Sequence, residues 1–297
     1  MSSISSQPVF VNEPIPAQAG IGLKFQHINE IVETNPPIAW VEVHAENFMS
    51  DGGPSIEALA RIRRNTPVSI HGVGLSIGGA EPLDKDHLNR LKHLVERVEP
   101  GLVSEHLAWC TSDGRFLNDL LPVPYDEKSL ATVVDHVNQT QDLLSRTILI
   151  ENPSLYVGYK CSNIAEPDFL NELAKRTGCG LLLDLNNIFV SGSNLSFDPT
   201  TYLKNIDLKL VREIHLAGHH TRLLGDQSIL IDDHGSPVCA KVWDLYKLAL
   251  CDTIAIPTLI EWDNNIPALA VLLGEAQRAQ QIMSNLEQRG GQHATAA

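Results

Sequence analysis

One pattern recurs eight times along the chain: a short apolar run, then a longer stretch whose apolar residues fall at helical spacing. The runs are 21–23, 39–43, 68–70, 102–104, 148–150, 181–183, 211–214 and 258–260. They are strand length and mostly apolar throughout, as expected of strands covered on both faces. Between them, 84–98 sets Leu88, Leu91, Leu94, Val95 and Val98 on one helical face, and 127–144 does the same with Leu130, Val133, Val134, Val137, Leu143 and Leu144. Asp84 reads as an N-cap, Asp198 as a cap with Pro199 at the first helical position, and Gly178 and Gly180 as the stop after a helix at 166–177. Strands alternating with helices in one uninterrupted chain predict an α/β protein, a single (β/α)8 TIM barrel. An open doubly wound sheet is the alternative. Residues 1–19 read as an N-terminal extension, 20–287 as the barrel and 288–297, with Gly290-Gly291, as a disordered tail. The segment 218–238 is too long for a plain loop and is assigned to the site.

Composition excludes several classes. The 36 acidic residues against 22 Lys plus Arg leave a net charge of -14, and no basic run exceeds Arg63-Arg64. A domain that tracks a phosphate backbone shows the opposite sign or a basic stripe, so nucleic acid is a disfavoured partner. The five cysteines, Cys110, Cys161, Cys179, Cys239 and Cys251, include no C-x-x-C pair, which fits neither a disulfide framework nor a thiolate zinc site. No stretch reaches the roughly 20 apolar residues of a membrane span, and the first residues lack a signal-peptide pattern. The expectation is a reduced, cytoplasmic protein with no membrane partner.

The residues that close each run carry the chemistry. The second run ends in Val43-His44-Ala45-Glu46-Asn47, the third at His71, the fourth at Glu105-His106 and the fifth at Glu151-Asn152. The sixth ends at Asp184 with Asn186 and Asn187 beyond it, the seventh at His215 and the eighth at Glu261. Parallel strands bring these residues to the carboxyl face, where barrel active sites lie. Histidine, carboxylate and amide without thiolate suit zinc, manganese or non-heme iron. Asp232 and His234 could add ligands from the long seventh loop. His44, Glu46, Asn47, Glu105, Asn152, Asn186, His219 and Asp263 fit supporting or substrate-facing roles.

Blander readings compete at each position. Any one of His71, His106 or His215 alone is more often a hydrogen-bonded core histidine than a ligand; their shared placement reverses that. His27, His87, His93, His136 and His293 lie on amphipathic stretches or the tail and are expected to be solvated. Gly72-Val73-Gly74 with Gly78-Gly79 lacks the Gly-Lys-Ser/Thr ending of a phosphate loop and reads as tight turns below the site. Ser104 and Ser154 lack the G-x-S-x-G elbow of serine hydrolases. Cys110 is assigned no chemistry.

His71-Gly72-Val73-Gly74-Leu75-Ser76, Ser104-Glu105-His106-Leu107-Ala108-Trp109, Glu151-Asn152-Pro153, Leu183-Asp184-Leu185-Asn186-Asn187, Glu213-Ile214-His215-Leu216-Ala217-Gly218-His219 and Leu259-Ile260-Glu261-Trp262-Asp263 resemble, in combination, the multinuclear non-heme iron-dependent oxidative enzymes. The resemblance spans about residues 20–279. It implies a barrel with two or three iron ions, related in layout to trimetal apurinic endonucleases. By position, His71, His106 and Glu151 would hold one ion. Glu151 would bridge to a second, completed by Asp184, His215 and Glu261, and Asn187, Asp232 and His234 would form a third site. Trimetal nucleases carry histidine where this chain has Asn187, and Asp232-Asp233-His234-Gly235 stands where relatives often show Asp-Thr-His-Asp, which leaves open which aspartate ligates. The implied reaction uses dioxygen to oxidise cysteine residues of a ribosomally made precursor peptide, delivered by a small partner protein.

Three other classes remain open: a zinc phosphodiesterase acting on DNA, against which the charge counts; a divalent-metal sugar isomerase; and a non-catalytic metal-binding protein.

Overall fold

The computed structural model describes residues 14–251, 253 and 255–294, and the elements below are those of the described residues. Strands β1 (Ala19–Gly22), β2 (Val41–His44), β3 (Val68–Gly72) and β4 (Leu102–His106) lead into a hairpin, β5 (Trp109–Ser112) and β6 (Arg115–Leu121). Strands β7 (Leu149–Glu151), β8 (Gly180–Asp184) and β9 (Val211–Ala217) lead into a second hairpin, β10 (His220–Leu224) and β11 (Gln227–Ile231), before β12 (Thr258–Glu261). The two hairpins stand apart from the barrel, which closes in the order β1-β2-β3-β4-β7-β8-β9-β12. Its pairs are parallel, and Ala19 beside Thr258 makes the closing register. The open doubly wound alternative is excluded.

The strands run one to three residues past most of the apolar runs. His44, His71, His106, Glu151, Asp184, His215 and Glu261 all lie within strands rather than in loops. Register then places His44 beside His71, His106 beside Glu151 and Asp184 beside His215.

Helices cover the outside: α1 (Phe25–Thr34), α2 (Pro54–Arg63), α3 (Lys85–Val98), α4 (Glu127–Leu144), α5 (Glu166–Thr177), α6 (Leu185–Leu195), α7 (Pro199–Asn205), α8 (Ala240–Leu250) and α9 (Leu269–Ala294). The caps form as the sequence suggests. Asp84 accepts from the amides of Asp86 and His87, Asp198 from those of Thr200 and Thr201, and Gly178 ends α5 at φ 70°. The α3 stripe of Leu88, Leu91, Leu94 and Val98 is buried against the sheet, each such side chain contributing about 1.5–3 kcal/mol by leaving water. α9 covers 288–294, where the sequence suggests a disordered tail; 295–297 lie outside the described residues, as does 1–13 of the expected N-terminal extension. No described helix is long and apolar enough to cross a membrane.

The barrel interior is sealed at its amino end by Trp40, which packs with Ile15 and Leu259. A Cβ on Gly20 would sit 2.5 Å from the Trp40 ring, so glycine is what lets the indole cross the floor. Above this plug the interior turns polar. Glu42, Ser69, Ser104 and Glu213 are buried on the inward side of their strands, where most barrels hold branched aliphatic residues.

Candidate metal centre

Side chains alternate along a strand, so residues two apart share a face. Inward positions near the strand ends carry His44, His71, His106, Glu151, Asp184, His215 and Glu261. The long segment after β9 adds two more: once hairpin β10–β11 has returned the chain to the barrel mouth, Asp232 and His234 descend into it. His234 holds φ 46°, and its carbonyl accepts from the amides of Asp263 and Asn264, which ties this loop to the end of β12.

Among the described residues, Glu42 with Glu213 and His215, and His44 with Glu261 and Asp263, each present ligand atoms to a common point, and three further overlapping groups do the same: His71, His106 and Glu151; Glu151, Asp184 and His215; and Asp184, His234 and Glu261. Of these last three, Glu151 belongs to the first two and Asp184 to the last two. Glu151 Oε2 lies 3.1 Å from Nε2 of both His71 and His106, and those two nitrogens are 3.4 Å apart. His215 Nδ1 is 3.2 Å from Glu261 Oε2 and 3.8 Å from Glu151 Oε1. His234 Nδ1 is 3.4 Å from Glu261 Oε2. Short as these distances are, Glu151 Oε2, Asp184 Oδ2, Asn187 Oδ1 and His215 Nδ1 are buried without an aligned hydrogen bond. Atoms aimed past one another at shared points fit a cation, and a nitrogen/oxygen donor set fits iron, manganese or zinc.

Electrostatics agree. Burial, then the Glu151 and Asp232 charges, push Asp184 well above the usual carboxylate range. Burial would lower His71, but the Glu151 carboxylate outweighs it and lifts the imidazole to about 10. Burial would raise Glu42, but His215 holds it at about 2, whereas burial and the Glu42 charge push Glu213 up to about 8. So many acids in one enclosed space cannot all ionise until a cation joins them.

The other sequence candidates take distinct places. Asn187 donates through Nδ2 to Asn152 O at 3.0 Å and approaches Glu151 Oε1 at 3.4 Å, beside the ligand atoms. Asp232 Oδ1 is 2.8 Å from His234 Nε2 and accepts from Asn186 Nδ2 at 2.6 Å. Asp233 instead pairs with exposed His220 at 2.8 Å, and both aspartates border the cavity over the centre. The Asn186 Oδ1 meets His219 Nδ1 at 2.7 Å. Asn152 exchanges two 2.9 Å hydrogen bonds with the Asp184 backbone and clips β7 to β8. His44 faces Glu261 and Asp263 at 3.5 and 3.8 Å, a further group within reach of one point. The Lys24 ammonium contacts Asp263 and already brings a positive charge there. Glu46 accepts from the amides of Val73 and Gly74 and lies 3.3 Å from His87, so it holds the loop after β3. Glu105 points away from the barrel interior, opposite in parity to His106, into the space a Cβ on Gly72 would fill at 1.9 Å. Asn47 is exposed on a short turn outside these groups.

Several expectations need correcting. His27, His87 and His136 are buried, not solvated, because they sit on the inward stripes of α1, α3 and α4. His27 reaches Pro267 O at 2.8 Å and His136 reaches Ile77 O at 2.9 Å; His93 is exposed, and the His293 side chain lies outside the described ones. The glycine loop after β3 lies beside the centre at the carboxyl end, not below it. Ser104, considered only as a nucleophile, meets His71 Nδ1 at 2.7 Å and turns Nε2 toward Glu151, while His106 Nδ1 donates to Gly72 O at 3.1 Å with the same result. Glu42, Ser69, Glu213 and Lys24 were missed. For the first three the available signal was parity, since each lies two residues before a strand-end histidine.

A cavity of about 190 Å³ opens onto the ligands, lined by His44, His71, His106, His234, Glu261 and, from β6, Leu120. Its lining is mostly polar, with Val73, Leu120 and Pro153 adding apolar surface. Phe116 and Leu117 of β6, Val157 and Tyr159 of the loop after β7, and Leu223 and Leu224 of β10 are large, exposed hydrophobic residues on three neighbouring loops of the carboxyl face. A groove of about 650 Å³ between β1 and α9 is larger, yet none of the described residues lining it is titratable.

A family model described as "RiPP precursor modification enzyme MbnB/TglH/ChrH" matches residues 18–284. A UPF0276 protein of Rhizobium meliloti strain 1021 is 48% identical over 279 residues, covering 93% of this chain and 90% of that protein. Among solved structures, an L-ribulose 3-epimerase aligns with TM-score 0.59 at 13% identity, over 94% of this chain and 99% of that one. Endonuclease IV from Thermus thermophilus aligns with TM-score 0.57 at 16% identity, over 92% and 99%. At such identities these structures bear on the barrel fold alone.

Proposed function

The chain belongs to the MbnB/TglH/ChrH family of RiPP precursor modification enzymes, and from that premise we propose that it oxidises cysteine residues of a ribosomally made precursor peptide at a multinuclear iron centre. The observation that carries this reading is the chain of shared carboxylates, Glu151 and then Asp184, linking three groups of ligand atoms. His71, His106 and Glu151 would hold one ion, and Glu151, Asp184 and His215 a second. Asp184, His234 and Glu261 would hold a third, flanked by Asn187 and Asp232. Two or three iron ions, with dioxygen as co-substrate, would supply the oxidising equivalents and a position for the substrate sulfur.

The protein's own residues do the rest. Ser104 and the Gly72 carbonyl fix the rings of His71 and His106, so no reorientation is needed when a ligand arrives. Asn186 holds Asp232 toward His234. Leu120, Val73 and Pro153 set apolar surface beside the polar lining of the cavity. The exposed Phe116, Val157 and Leu223 suit a flexible peptide that must be held by side chains outside the small cavity. A small partner protein presenting that peptide fits the same rim, and the free cysteines fit a cytoplasmic setting.

Co-expression with a short cysteine-bearing peptide encoded beside this chain, followed by intact-mass measurement, tests the reaction. A mass change dependent on iron and dioxygen, and lost in His106→Ala, is expected. An unchanged peptide with iron-loaded enzyme, dioxygen, reductant and any neighbouring partner protein present would sink the reading. Leu223→Asp is expected to weaken peptide binding while leaving the metal content intact.

A further inference from the structure

Beneath the ligands lie Glu42, Ser69 and Glu213, at 3%, 0% and 0% exposure, which the chemistry above does not use. Enclosed carboxylates are costly to keep unless something engages them, so their place under the centre calls for a role. Ser69 Oγ donates to Glu42 Oε2 at 2.9 Å, which leaves Oε1 3.2 Å from His215 Nε2, an ion-pair distance without the alignment of a hydrogen bond. Glu213 Oε1 lies 3.6 Å from the same nitrogen. The opposite edge of the ring presents Nδ1 to Glu261 and Glu151. A neutral imidazole bound to a metal through one nitrogen carries its proton on the other, and the group that accepts that proton's hydrogen bond selects which is which.

His71 and His106 are set the other way round. Their Nδ1 atoms are engaged by the neutral Ser104 hydroxyl and Gly72 carbonyl, and Nε2 faces Glu151. Of these three histidines, His215 alone is backed by an anion, on its Nε2 side. We propose that Glu42, tethered by Ser69, is a positioning residue that keeps the proton on His215 Nε2 and directs Nδ1 to the metal point shared with Glu151 and Asp184. Glu213 closes the other side of that nitrogen. The inference rests on the reading of Glu151, Asp184 and His215 as a metal group.

Zinc is a suitable probe because it is diamagnetic. In ¹⁵N-histidine NMR of wild-type protein, His215, assigned by its loss in His215→Gln, is expected to be protonated on Nε2 with and without zinc, and its Nδ1 signal is expected to shift when zinc binds. A proton on Nδ1 with zinc on Nε2 overturns the proposal. Glu42→Leu keeps the bulk and removes the acceptor. Chelator competition should show one zinc equivalent held about 10–100-fold more weakly, with the others unchanged. Glu42→Gln, which keeps an acceptor but not the charge, should weaken the same equivalent less. If Glu42→Leu does not fold by circular dichroism, the Gln variant decides: zinc held as tightly as in wild type counts against Glu42. Should wild type bind neither zinc nor iron, the metal reading fails and the role of Glu42, which rests on it, fails with it; zinc bound through Nε2 overturns Glu42 alone.

Discussion

Two sets of histidines are equally hidden and differ in what faces them. His71 and His215 at the strand ends are 1% and 0% exposed; His27 and His136 on the helices are 2% and 5%. Each helix histidine has a ring nitrogen on one backbone carbonyl, of Pro267 or Ile77, and serves packing. Each strand-end histidine faces carboxylates from other strands: Glu151 for His71, and Glu42, Glu151 and Glu261 for His215, with Glu213 of its own strand beside them. Burial alone does not mark a functional histidine. Convergence of anions from separate strands on one enclosed point does, because such a cluster is unstable until a cation completes it.

The contrast breaks hardest at the shared carboxylate. Glu151→Gln preserves shape but removes one anionic oxygen from two groups, so it should release more than one metal equivalent and lower peptide modification by at least about 100-fold. Metal analysis of anaerobically purified protein checks this; loss of one ion or none would argue for independent sites.

A pH series sharpens the contrast next. In the metal-free protein His71 titrates at about 10, above its unfolded value near 6.5, so the stability it contributes is complete below pH 6.5 and is lost as pH rises through 10. Metal must displace that proton, so affinity should rise over the same window. The melting temperature without metal should therefore fall from pH 6.5 to 10 while the increase on adding metal grows, and His71→Gln should flatten the first trend. A metal-free melting temperature that does not change over this range would contradict the His71–Glu151 pairing.

On the helix side, His136→Ala should cost roughly 1–3 kcal/mol by removing a buried side chain and stranding the Ile77 carbonyl, with every metal equivalent retained. Thermal unfolding paired with metal analysis separates it from His71→Ala, which should lose metal. The smallest effect belongs to Cys110→Ser. Its thiol is buried near the Gly74 carbonyl, outside the ligand groups, and the metal count should not move.

The barrel and the convergence of polar side chains at its carboxyl end were legible because strands covered on both faces write themselves as apolar runs, and a polar residue closing such a run stands out. His71, Asp184 and Glu261 were visible for that reason. Glu42 and Glu213 were not, since one acid inside an apolar run reads as a flaw in the pattern unless its parity with His44 or His215 is followed. The helix histidines were misread although the spacing was there: His87 falls on the stripe of Leu91, Leu94 and Val98, and His136 beside that of Val133, Val137 and Thr140. Lys24 was hidden because its reach to Asp263 depends on where β1 and β12 meet. That Asp232 meets His234 while Asp233 meets His220 depends on the hairpin that returns the chain to the mouth.

Anomalous diffraction at the iron edge, from crystals grown anaerobically with ferrous iron, tests the central claim most directly. At least two peaks are expected, one among His71, His106 and Glu151 and one among Glu151, Asp184 and His215, with Glu151 contacting both. A single peak, or peaks that share no carboxylate, would contradict the account.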